Sequence, residues 1–176
     1  MSRRKSAGRS GGTPAAVAAE RAGVAFTLHP YESGGGAEGA SAGYGEEAAQ
    51  ALGLGRDRIF KTLVASVDGA LTVAVVPVSG SLDLKALAGA VGGKRAEMAD
   101  PAAAERATGY VVGGISPLGQ RRALPCVVDA SASAHPTVFV SAGRRGLQLE
   151  IAPDDLVRLA GARTAAIARP ARDRSG

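Results

Sequence analysis

Lys61 is the residue in this chain best placed by type and context to do chemistry. It stands in Ile59-Phe60-Lys61-Thr62-Leu63-Val64-Ala65-Ser66-Val67, an apolar, β-branched run without Gly or Pro that reads as a strand. Side chains alternate along a strand, so Ile59, Lys61, Leu63, Ala65 and Val67 share one face. Lys61 is the single ionisable group in that row. An ammonium there must reach the rim, find a counter-charge, or receive one from a ligand. The plainer alternative is a gatekeeping lysine on an edge strand.

The second informative stretch is Gly113-Gly114-Ile115-Ser116-Pro117-Leu118-Gly119. It is not a nucleophile elbow, because Gly-x-Ser-x-Gly is absent and no helix follows Ser116. It is not a phosphate loop of the Gly-x-x-x-x-Gly-Lys type either. Its glycines offer backbone N–H groups that a substrate can approach with no Cβ in the way, unless the segment is simply a tight turn out of a strand. Arg121-Arg122 and Arg144-Arg145 flank Gly-containing loops and would suit phosphate contacts, though paired arginines commonly face solvent. The only histidines, His29 and His135, lack a second ligand at metal spacing, so no metal site is expected. Cys126 lies in Leu124-Pro125-Cys126-Val127-Val128 and reads as a small buried hydrophobe rather than a nucleophile.

These residues need a scaffold, and 176 residues suit one domain with a real core. Aromatics are 3% with no Trp, so Val, Leu, Ile and Ala must build that core. A single cysteine excludes an internal disulfide and fits a reducing compartment. With no apolar run of membrane-spanning length and no signal-peptide pattern, we expect a cytoplasmic, soluble protein and no membrane partner. Of the net charge of +5, Arg3, Arg4, Lys5 and Arg9 supply four. Arg169, Arg172 and Arg174 against Asp173 supply two more, leaving residues 13–168 at −1. The basicity belongs to the ends of the chain, which does not by itself decide for a nucleic-acid partner.

Residues 1–12 read as a disordered basic tail. Thr13-Pro14 caps a helix that Gly23 stops, and Val24 to Leu28 forms a short strand. Ser33 to Gly43, with five glycines, is expected to be a mobile loop, and Glu46 to Leu52 a helix. The Lys61 strand turns at Asp68-Gly69 into Leu71 to Val78, where Pro77 implies an edge or an unpaired N–H. Helices follow at Asp83 to Val91 and from Asp100-Pro101 to Gly109, with a short strand at Arg95 to Met98 between them. Strands are then expected at 124–128, 138–141 and 147–151, a helix at 153–159 and a closing strand at 164–168. The irregular order points to a mixed α/β fold, one barrel-like sheet of about six to seven strands surrounded by helices, and not to a doubly wound sheet.

Several strings fall in one familiar order. They are Thr13-Pro14-Ala15, His29-Pro30-Tyr31-Glu32, Phe60-Lys61-Thr62-Leu63, Pro77-Val78-Ser79-Gly80-Ser81-Leu82-Asp83, Gly109-Tyr110-Val111-Val112-Gly113-Gly114-Ile115-Ser116-Pro117-Leu118-Gly119 and Val140-Ser141-Ala142-Gly143-Arg144-Arg145-Gly146. The chain from about Thr13 to Arg169, leaving residues 170–176 as a tail, resembles the YbaK family. These are Cys-tRNA(Pro) deacylases related to the editing insertion domain of prolyl-tRNA synthetase. The resemblance implies a monomeric, cofactor-free domain that removes cysteine from mischarged tRNA(Pro) in company with prolyl-tRNA synthetase. By position, Lys61 matches the family's essential pocket lysine. Tyr31, Gly113, Gly114, Ile115, Ser116, Ser141 and Gln148 match substrate positions, and Arg144 and Arg145 fall where tRNA would pass. At Gln148 the family more typically has an aspartate, and an amide can hydrogen-bond but cannot serve as a carboxylate base. The family chemistry makes the cysteinyl thiol the attacking group, which fits the lack of a Ser–His, Cys–His or zinc constellation. Two alternatives stand beside this one, an Ala-tRNA(Pro) deacylase of the same fold and a non-catalytic module binding tRNA or nucleotide.

Overall fold

The computed structural model describes residues 12–33 and 44–170. The glycine-rich loop expected at 33–43 and both tails fall almost wholly outside these residues. Sequence signals set most element ends. The Thr13 side chain accepts from Ala16 N–H at 3.2 Å to start helix α1 (Pro14–Ala22), and Gly23 closes it at φ +72°. Strand β1 (Phe26–Pro30) and helix α2 (Tyr44–Leu52) follow. Strands β2 (Phe60–Val67) and β3 (Ala70–Pro77) form the expected hairpin, with Asp68 at φ +49° and Gly69 at φ +87° supplying its left-handed turn.

Beyond the hairpin come β4 (Gly80–Leu82), α3 (Leu84–Ala90, capped by Asp83), β5 (Ala96–Met98) and α4 (Pro101–Thr108, capped by Asp100). The chain ends with β6 (Cys126–Asp129), a 3-10 turn (Ala130–Ala134), β7 (Val138–Arg144), β8 (Leu147–Ile151), α5 (Pro153–Ala160), β9 (Arg163–Ala165) and β10 (Ala168–Pro170).

The architecture is mixed α/β in one unit, but the strands divide among three sheets and close no barrel among the described residues. One sheet is antiparallel in the order β1-β8-β7, a second is mixed in the order β5-β2-β3-β6-β9, and β10 pairs with β4 alone. Pro77 fits this plan without an edge strand. β3 is internal, yet its pairing with β6 covers only Val73 to Val75, so Pro77 lies past the last rung on that side. The expected closing strand is broken in two. Ile167 is fully buried, and its N–H and that of Ala168 both donate to the Asp129 carboxylate at 2.9 Å instead of continuing a ladder.

The two larger sheets face each other across the main core. Phe60, Val64, Val73 and Val75 come from one side and Val138, Val140, Leu147, Leu149 and Ile151 from the other. A second cluster packs Ala65, Val67, Ala74 and Val76 against Leu87 and Ala88 of α3. A third sets Ala48 and Ala49 of α2 on Ile59, Val78 and Phe139. One parallel bridge, Ile59 to Phe139, joins the two large sheets at this third cluster.

Candidate active site

Strand register brings the candidate residues together. His29 lies opposite Gln148, and Gln148 opposite Ser141, across β1, β8 and β7. From the Ile59–Phe139 bridge, two residues further along each parallel strand come Lys61 and Ser141. Ile59 and Phe139 point into the same cluster, so Lys61 and Ser141 emerge on that same side. The result is a transverse row of His29, Gln148 and Ser141 over three strands, with Lys61 on the same side of the neighbouring strand just past the bridge. Tyr31 packs at its margin, on the third cluster, with its N–H donating to Gly146 O at 2.9 Å.

Helix α2 walls this row. Its Ala48 and Ala49 seat on Ile59, Val78 and Phe139, which brings Glu46 to the Lys61 end. Burial holds the Lys61 ammonium below the ordinary lysine range, Glu46 draws it back up, and Arg56 pushes it down. Arg56 Nε in turn donates to both Glu46 carboxylate oxygens at 2.9 Å, so Glu46 is only a shared counter-ion for Lys61. Among the described residues the amine is half-buried and has no carboxylate partner of its own.

The glycine turn meets the row from the other side. Ser141 Oγ donates to Gly114 O at 3.0 Å and accepts from Gly143 N–H at 3.1 Å, in the bulge between Ser141 and Arg144. A Cβ on Gly114 would lie 2.8 Å from Arg144 Cα, and one on Gly113 2.7 Å from the Tyr44 ring, so both positions need glycine for close approach. The expectation that both glycine amides face a ligand needs amending. The Gly114 N–H donates to Val111 O at 2.9 Å and is spent on the turn.

Other expected contacts are placed differently from one another. Ile115 is buried in the main core, and Ser116 is fully buried with its Oγ accepting from Leu118 N–H at 3.2 Å. Their side chains brace the loop from inside. Arg145 lies 4.3 Å over the Tyr44 ring and 3.5 Å from Glu47, tying α2 to the β7–β8 hairpin, whereas Arg144 is exposed. Gln148 is 6% exposed and its Oε1 has no partner among the described residues. A buried carbonyl left in that state is ready to accept from a ligand donor.

Sequence reasoning missed a second polar group on this face. Glu150 accepts from His29 at 2.9 Å and from Thr137 Oγ1 at 2.6 Å, and Arg58 lies 5.1 Å over Phe139 while donating to Thr137 O. Only the two-residue step from Gln148 to Glu150 hinted at it. Among the described residues no set of three His, Cys, Asp or Glu side chains could hold a metal. A separate cavity of about 200 Å³ involves Cys126 but none of the candidate residues, and burial pushes that thiol up to about 12.

The face thus combines a half-buried cation, an amide oxygen without a partner among the described residues and a glycine turn. The family model of the aminoacyl-tRNA editing domain matches residues 40–159. Over 116 residues the chain is 42% identical to the Enterococcus faecalis protein named "Putative Cys-tRNA(Pro)/Cys-tRNA(Cys) deacylase EbsC", covering 65% of this chain and 70% of that one. A crystal structure described as a "putative trans-editing enzyme for prolyl tRNA synthetase" superposes with a TM-score of 0.76 at 27% identity, over 89% of this chain and 95% of that one. A scaffold protein from work on epitope backbone grafting superposes equally, at 0.76 and 25% identity, over 90% and 96%. The chain is thus an aminoacyl-tRNA editing domain. Within that class the chain belongs to the YbaK family.

Proposed function

We propose that this chain clears cysteine from mischarged Cys-tRNA(Pro), working beside prolyl-tRNA synthetase. The observation that carries the reading is Lys61, a half-buried cation on an apolar strand face, emerging past the Ile59–Phe139 bridge on the same side as Ser141 and Gln148. An aminoacyl ester is already activated, so positioning and charge stabilisation suffice to cleave it. Lys61 stabilises negative charge on the ester or on the adjoining ribose and phosphate. Gln148 Oε1 accepts from the substrate's α-ammonium, and Ser141 keeps the glycine turn in place against it.

The attacking group is the substrate's own thiol. A sulfur–carbon bond forms at the ester carbonyl, the bond from that carbon to the ribose oxygen breaks, and the thiol proton ends on the ribose oxygen. Cysteine leaves as a thiolactone, which water then opens. Selection follows from this chemistry, since a pocket that admits cysteine rejects serine or alanine only weakly by size. The test is a deacylation panel of Cys-tRNA, Ala-tRNA and S-blocked Cys-tRNA with wild type and Lys61→Ala. Wild type should hydrolyse only the free-thiol substrate, and Lys61→Ala should lose the activity while keeping its circular dichroism spectrum and melting temperature. Full activity in Lys61→Ala, or equal turnover of the S-blocked ester, refutes the scheme.

A further inference from the structure

Two apolar side chains just before the glycine turn are left in water. Val111 is 72% exposed, more than any other large hydrophobic among the described residues, and Val112 is 38% exposed. Their backbone is held firmly. The Val112 N–H donates to Glu105 Oε2 at 2.8 Å, and Val111 O accepts from Gly114 N–H at 2.9 Å. A carboxylate from helix α4 thus fixes a turn whose outer surface is two valines. On the flank lies exposed Arg144, whose backbone Gly114 approaches so closely that a Cβ there would sit 2.8 Å from Arg144 Cα. An apolar plate beside a cation, at the margin of a polar row, has the make-up of a seat for a nucleobase and its phosphate.

We propose that Val111 and Val112 seat the terminal adenine of the aminoacyl-tRNA, with Arg144 at the phosphate on its 5′ side. The inference rests on the deacylase reading, which puts the 3′ ribose by Lys61 and the glycine turn. The base is bonded to that same ribose and must lie within a nucleoside's span of it. Two residues of chain from Gly113 back to Val111 reach at most about 7 Å, which keeps Val111 inside that span of the glycine turn. Every base has a flat face that can be buried whatever its identity, and two valines held in place offer it apolar cover.

The test measures binding, not turnover. An uncharged RNA minihelix carrying the tRNA(Pro) acceptor stem is made with its terminal adenosine intact or with an abasic ribose at that position. Affinities are read by fluorescence anisotropy for wild type, Val111→Phe and the double variant Val111→Ser with Val112→Ser, melting temperatures serving as the folding control. Loss of the base should weaken wild type about tenfold, the double variant should show the same loss on the intact RNA, and the two losses should not add. Val111→Phe should tighten binding of the intact RNA only. Equal binding of both RNAs by wild type, or a full abasic penalty retained in the double variant, overturns the proposal. So does a defect of the double variant that appears only when prolyl-tRNA synthetase is present, which would make the valines a protein contact. If wild type fails to deacylate any ester yet shows the base coupling, the enzyme reading falls and the seat stands.

Discussion

Lys61 is where stability and the proposed activity are set against each other. Burial lowers its pKa, so between that lowered value and the ordinary 10.5 the folded chain binds fewer protons than the unfolded one. Stability therefore rises with pH through that window, and at neutral pH the charged amine is a burden on the fold. Lys61→Met should melt at an equal or higher temperature than wild type while losing deacylation, a pairing expected of a site residue and not of a structural one. Its neighbours tune the amine in opposite senses. Glu46→Gln removes the influence that raises the Lys61 pKa, so the ammonium is lost sooner on alkalinisation. The alkaline limb of kcat/KM should move to lower pH in Glu46→Gln and to higher pH in Arg56→Gln, after subtraction of spontaneous ester hydrolysis. Limbs that do not move would mean that protonation of Lys61 does not govern the rate.

The elements that carry these residues differ in how tightly they are specified. Gly69 and Gly114 make the contrast measurable. Gly69 has φ +87° and open space around its missing Cβ, so Gly69→Ala should cost about 1 kcal/mol in urea unfolding and leave activity per folded molecule intact. A Cβ on Gly114 would lie 2.8 to 3.1 Å from backbone atoms of Arg144 and Arg145, so Gly114→Ala must part the turn from the β7–β8 hairpin and should lose activity beyond its loss of stability. Local signals made much of this frame legible in the sequence. Thr13-Pro14, Asp68-Gly69, Asp83 and Asp100-Pro101 each act within a few residues of themselves, and each marks an element end in the structure. The strand face of Lys61 was legible for the same reason, since alternation is a local rule. What stayed hidden lies between residues far apart in sequence. The pairing of β4 with β10, the Arg145–Tyr44–Glu47 tie and the group around Glu150 have no mark in their own segments. The spent amide of Gly114 was hidden differently, because a glycine pair announces freedom without saying what uses it.

At the scale of the molecule, Asp129 binds the C-terminal strands to the body. It is 6% exposed, and its carboxylate accepts from the N–H groups of Ile167, Ala168 and Ser131 and from the Ser131 hydroxyl. Burial pushes its pKa up, but the Ser131 hydroxyl and these amides together outweigh burial and hold it below 3.8. Its contribution is present above that value and is lost as pH falls through the depressed folded pKa. Asp129→Asn should cost about 2 kcal/mol at neutral pH in urea unfolding and flatten the acid end of the stability curve, since an amide cannot accept from so many donors. An unchanged acid limb would assign acid unfolding to other carboxylates, Glu150 first among them.

The lone rung between Ile59 and Phe139 has a consequence for how such a catalyst diversifies. Lys61 rides on one sheet while Ser141 and Gln148 ride on the other, and beside the shared main core the Ile59–Phe139 bridge helps set the spacing between those halves. Bulk exchanged at residues 59 and 139 would act as a shim, widening or narrowing the gap for different amino-acid sizes while every polar group keeps its identity. If the proposed function holds, substrate range in descendants of this scaffold is adjustable from beneath, by greasy residues outside the polar row.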